Sequence, residues 1–166
     1  MKKLFFAIIP AAFFLQACEG PAGPPGPAGA DGLIGEVHEV TVTFTSANNY
    51  RADFDFDPVI PSSDKVIGFI LEGEDNLGND NWEPLPQTFF HNGNTYLYLF
   101  DFSRAGFTLH LKGNANPGLL AASQRTNRVF RMLIVPAALI NQVDINNMHD
   151  IMAKMGAKES DINVIY

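Results

Sequence analysis

Apolar side chains recur at every second position through much of this chain, and that period restricts it to few architectures. Val40, Val42 and Phe44 alternate with Thr41, Thr43 and Thr45, and Tyr50, Ala52, Phe54 and Phe56 alternate with Arg51, Asp53, Asp55 and Asp57. Successive side chains of an extended strand point to opposite faces, so both stretches read as half-buried strands. Val66 to Leu71 is a continuous apolar run, which suits a more central strand. Gln87 to His91 and Thr95 to Phe102 flank Asn92-Gly93-Asn94, and Asn-Gly supplies the positive φ angles of a tight hairpin. Phe107 to Lys112 alternates again, and Asn127 to Val135 forms a further strand before Pro136. The expected fold is mostly β, an antiparallel sandwich or barrel of about seven strands.

The period changes only near the end of the chain. Asp144 or Asn146 is placed to cap a short helix whose Met148, Ile151, Met152 and Met155 share one face, and Gly156 stands where a left-handed C-cap would end it. That face is expected to pack on one end or face of the sheet, with methionine as filler for an irregular core. Asp161 to Tyr166 then reads as a terminal extended segment.

Residues 1–35 obey different rules. Glycine stands at Gly20, Gly23, Gly26, Gly29, Gly32 and Gly35, five full Gly-X-Y triplets, with Pro-Ala, Pro-Pro and Pro-Ala in the first three. Only glycine fits at the axis of three wound chains, and proline presets the polyproline II angles. Five triplets offer few interchain bonds to offset the entropy of association, so the expected state is a monomer on a semi-rigid tether. Residues 19–35 would extend about 50 Å at the polyproline II rise. A trimer through the stalk stays open, because anchored chains are concentrated in two dimensions.

Ahead of the repeat, Lys2 and Lys3 precede an apolar run from Leu4 to Leu15, too short for a spanning helix and interrupted by Pro10. This is the pattern of a secretory signal. Leu15-Gln16-Ala17-Cys18 closes it and resembles the lipobox of bacterial lipoproteins, Leu-x-Ala/Gly-Cys; with the triplets that follow, residues 1–35 resemble small collagen-like-repeat lipoproteins. The resemblance implies a signal peptide over residues 1–17, removed before Cys18, and diacylglycerol on the Cys18 thiol with further acylation of its amine. It also implies a place in the cell envelope as a membrane-anchored protein, at the outer membrane on its periplasmic or surface face. Two or more acyl chains anchor stably where one binds marginally. The expected organisation is then leader 1–17, anchor and stalk 18–35, and a β-rich domain over 36–166. Which leaflet the anchor occupies does not follow from the residues.

Cys18 is the chain's single cysteine, so no disulfide can staple the domain and its core must suffice. Loss of residues 1–17 removes Lys2 and Lys3 but none of the 18 acids, taking the formal charge from −7 to −9. An acidic balance of this kind argues against nucleic acid and against a second, electrostatic contact with anionic lipid.

No Gly-x-Ser-x-Gly elbow, His-Glu-x-x-His pair, phosphate-binding loop or Cys/His cluster occurs in the sequence. His38, His91, His110 and His149 are scattered, with no serine or carboxylate placed beside them by spacing. A hydrolase is therefore not expected, and neither is a resident cofactor. Two acidic groups could matter. Asp53, Asp55 and Asp57 would project from one strand face, and Glu72, Glu74, Asp75 and Asp80 crowd a Gly-containing loop with Asn76 and Asn79. They read either as a solvated face and a polar turn or as oxygen ligands for calcium, although Leu77 departs from an EF-hand loop.

Aromatic residues give a second choice. Tyr96, Tyr98, Phe100 and Phe102 share one strand face while Leu97 and Leu99 take the other, which suits an internal strand. If the tyrosines and Trp82 were exposed, they would make a platform for a glycan or a protein partner. The overall expectation is a lipid-anchored, non-enzymatic structural or binding lipoprotein, with a carbohydrate- or calcium-binding sandwich as the alternative.

Overall fold

Residues 35–165 are described by a computed structural model of the protein. The leader, Cys18 and the repeat from Gly20 to Gly32 lie outside the described residues. In chain order the strands are β1 (Glu36–Val42), β2 (Arg51–Asp55), β3 (Lys65–Glu74), β4 (Asp80–Pro84), β5 (Gln87–His91), β6 (Asn94–Ser103), β7 (Gly106–Gly113) and β8 (Arg128–Val135); helix α1 (Met148–Met155) and β9 (Asn163–Ile165) follow. They form a five-stranded sheet ordered β4-β3-β8-β1-β9 and a four-stranded sheet ordered β2-β7-β6-β5. Pairing is antiparallel except between β1 and β9. The mostly β expectation holds, and the two sheets make a sandwich rather than a barrel.

Alternation explains the layers. Val40, Val42, Val66, Ile70, Phe130, Met132 and Ile134 point inward from the five-stranded sheet and meet Tyr96, Tyr98, Phe107, Leu109 and Leu111 from the other. The intervening residues Val37, Phe69, Leu133 and Val135 point the opposite way, where Met148, Ile151, Met152 and Met155 of α1 cover them. The helix therefore packs on the outer face of the five-stranded sheet, through the four residues its period singles out. Its N-cap is Asn147, whose side chain accepts from the Asp150 amide at 3.1 Å, one residue beyond Asn146. Asp144 instead holds the preceding turn, accepting from the Asn146 amide at 3.0 Å. Gly156, at φ 71°, ends the helix.

The Asn92-Gly93 turn is where the sequence puts it, with φ 48° and 77° and His91 paired to Asn94. Two strands go beyond the alternating set. β4 is polar and ends in proline, which suits an edge strand bonded on one side only. β9 has three residues and gains strand character only by pairing with β1. β6 is internal to its sheet, and Leu97 and Leu99 on its outer face are half-buried.

Gly35, the last glycine of the triplets, is buried and serves the domain. A Cβ there would sit 2.5 Å from Met155 Cε and 2.9 Å from the Ile134 carbonyl oxygen. The methionine tip can move aside; the backbone oxygen of a strand paired on both sides cannot. Gly35→Ala should lower stability by about 1–3 kcal/mol, the usual penalty for overpacking. Urea unfolding of a soluble form starting at Glu19 checks this, and an unchanged midpoint would show that the approach is not close.

Candidate functional site

The sequence-derived acidic residues fall in two places. Asp53 and Asp55 lie on β2 in the four-stranded sheet and Asp57 follows it, whereas Glu72, Glu74, Asp75 and Asp80 lie along the β3–β4 hairpin of the other sheet. Asp53 accepts hydrogen bonds from Arg51 and, at 2.8 Å, from the Thr108 hydroxyl, and the Arg51 bond chiefly holds its carboxyl below the usual range. Glu72 pairs with Arg128 at 2.7 Å. Asp75 closes the hairpin loop: Oδ1 accepts from the Leu77 and Asn79 amides at 2.7 and 2.9 Å, and Oδ2 from Asn79 Nδ2 at 2.9 Å. Among the described residues no three His, Cys, Asp or Glu side chains come together as a metal-ligand group.

The aromatic residues divide as well. Tyr96 and Tyr98 are core residues, and Phe102 at the strand end is 40 % exposed. Trp82 lies on β4 against the outer face of the five-stranded sheet, its ring 4.3 Å from the Arg131 guanidinium carbon. Arg131 is itself buried and doubly paired, to Glu39 at 2.8 Å and to both oxygens of Glu159 at 3.0 and 2.8 Å. That bidentate pair ties the turn Glu159–Asp161 to the sheet.

Two histidines have carboxylate neighbours. His110 lies 2.7 Å from Asp101 across β6 and β7, and His38 lies 3.2 Å from Glu36. The Thr108 hydroxyl, on the same strand as His110, donates to Asp53 at 2.8 Å.

The feature with the most chemical content lies where the two inner faces part. Gln87 and Phe89 of β5, Tyr98 of β6, Glu72 of β3, Arg128 of β8 and Gln124 of the turn Ala122–Gln124 line a cleft of about 120 Å³. Gln87 Oε1, Gln124 Oε1 and Arg128 Nε are buried in its wall without a hydrogen-bond partner among the described residues. A buried polar atom without a partner costs about 1–3 kcal/mol. The remaining groups are held firmly. Arg128 Nη2 donates to Glu72 Oε1 at 2.7 Å and to the Leu71 carbonyl at 3.2 Å, with its guanidinium 5.5 Å above the Tyr98 ring. The Tyr98 hydroxyl donates to the Gln124 carbonyl, and the Phe89 and Tyr98 rings stack at 5.1 Å.

Sequence reading passed over this cleft, although a signal exists. The inward positions of β8 run Arg128, Phe130, Met132, Ile134, and those of β5 begin Gln87, Phe89. A charged or amide side chain in phase with buried apolar ones marks a polar group turned toward the core. Another hollow of about 350 Å³, beside Val66, Leu85, Phe100 and Ile145, is lined mainly by apolar side chains.

Comparison with protein-family models, with curated proteins and with solved structures returns no match for this chain.

Burial disfavours the phenolate of Tyr98 and pushes its pKa up to about 12, with Arg128 pulling the other way. A raised value means that the Tyr98 contribution to stability is intact below the ordinary tyrosine pKa of about 10 and is lost as pH rises through the folded value. Ultraviolet titration should find Tyr98 ionising near pH 12, with Tyr98→Phe removing that step. Ionisation of all tyrosines together near pH 10 would show the ring to be solvated.

Asp75 gives the acid-side counterpart. Its bonds from Asn79 and from the loop amides hold its carboxyl below the usual range. The loop is therefore stabilised above the ordinary carboxylate pKa, and the effect disappears as pH falls through the lowered one. In an NMR titration Asn79→Ala should return the Asp75 midpoint toward the ordinary value; an unmoved midpoint would assign the depression elsewhere.

Proposed function

We propose that the protein is a lipid-anchored extracytoplasmic binding lipoprotein: Cys18 carries the lipid, the glycine repeat that follows acts as a stiff tether as far as Gly32, and the β-sandwich carries a ligand cleft. The Leu15-Gln16-Ala17-Cys18 tetrad at the end of a charged and apolar leader supports the anchor, and the glycine period supports the tether. Binding is favoured over a purely structural role by one observation: the cleft of about 120 Å³ lined by Glu72, Gln87, Phe89, Tyr98, Gln124 and Arg128.

Cys18→Ser removes the acceptor thiol. In cells it should move the protein from the membrane fraction to the soluble one and abolish the mass added by acylation. A mutant that stays in the membrane with the wild-type mass would sink the lipoprotein reading.

A further inference from the structure

We infer that the apolar hollow beside the upstream half of β3 binds the chain of a medium-length aliphatic carboxylate, with Lys65 holding its head group. The hollow shares no lining residue with the cleft between β5 and β8 and is a second site, independent of the role proposed above.

The hollow exists because β3 outruns its neighbour. β8 pairs with β3 from Lys65 to Ile70, whereas pairing with β4 reaches upstream only to Phe69, opposite Pro84. Leu85 still donates to the Gly68 carbonyl at 2.9 Å, and the chain then crosses to β5 in the other sheet. Among the described residues no strand flanks 65–68 on the side away from β8, and a space of about 350 Å³ lies there.

Its walls decide what enters. Val66 is buried, but Ile67, Leu85, Phe100 and Ile140 stay half-buried and Ile145 is 51 % exposed. Apolar surface is stabilised by leaving water, and an alkyl chain covers it without requiring a hydrogen bond. Residues 65–68 of β3 span about 10 Å, about the length of an extended octanoate chain.

Charge selects the head group. The chain carries 18 acids against 11 bases, yet none of the described residues lining the hollow is a carboxylate. Lys65 lines it, is exposed and makes no ion pair among the described residues. The acid next to it, Asp64, is buried and accepts from the Ser63 hydroxyl at 3.0 Å and the Ala137 amide at 3.4 Å. The Lys65 stem can lie along the apolar wall with its ammonium group in water at the rim, where a carboxylate meets it. An added peptide strand would instead need the main chain of Val66 and Gly68, and both residues are buried.

Methyl NMR on the soluble protein starting at Glu19, which keeps every residue after the anchor, tests this with hexanoate, octanoate, octanol and octylamine. Octanoate should shift the methyl signals of Val66, Leu85 and Ile145 saturably and leave those of the exposed Leu77 and Leu119 in place. Each methylene added between hexanoate and octanoate should tighten binding about fourfold, the effect of burying one CH₂ group. Octanoate should bind about threefold to fivefold more tightly than octanol, as an exposed ion pair allows, and octylamine more weakly than either. Lys65→Met keeps the stem, so it should abolish the preference for octanoate and leave octanol binding unchanged. Equal binding of octanoate and octanol by the wild type would overturn the carboxylate assignment. Leu77 and Leu119 signals moving in step with those of the hollow would mean surface adsorption and overturn the site, as would no shift at about 10 mM octanoate. Shifts with a blocked valine–threonine tetrapeptide and none with octanoate would make the hollow a strand-docking edge and overturn the inference.

Discussion

β8 is buried on both faces, and every layer of the domain is built against it. It pairs with β3 on one side and β1 on the other, sends Phe130, Met132 and Ile134 toward the four-stranded sheet, and sends Leu133 and Val135 toward α1. Each such side chain contributes about 1.5–3 kcal/mol when fully buried. With Cys18 the only cysteine, no disulfide shares that task. The three-layer order of sheet, sheet and helix follows from one strand having apolar residues in both phases.

Arg131 is the exception within β8. Its side chain enters the helix-side layer, where an unpaired charge would be costly to bury. Glu39 on the neighbouring strand, Glu159 beyond the helix and the Trp82 ring surround it. Removing either carboxylate would leave the cation short of partners, so the network's main effect is to specify where the chain returns after α1 rather than to add much net stability. The short strand β9 is laid beside β1 directly after that anchoring turn.

The cleft arises from the same strand. At its first residue β8 still points inward, but the core of the sandwich has ended there, so Arg128 extends into space shared with Gln87 and Gln124. The apolar packing that ends at Phe130 thus leaves a set of polar groups around a cleft where the core stops.

How far the residues alone reach can be judged element by element. The strands with period two, the Asn92-Gly93 turn and the buried face of α1 are local matters, set by the pleat of a strand, the φ angles of two residues and the helical repeat, and each is readable in the chain. The tetrad at Cys18 and the glycine period are readable for the same reason, because their meaning lies in spacing. β4 was not readable, and for β9 the residues indicated only an extended segment, since an edge strand of polar residues and a three-residue strand exist only through their neighbours. The pairing of Asp101 with His110, the burial of Arg131 and the meeting of Gln87, Gln124 and Arg128 join residues up to 92 positions apart, as for Glu39 and Arg131. Period two decides which side of a strand a residue faces. Only the stacking of one sheet on the other decides what it faces, because that depends on strand order and on where each core layer stops.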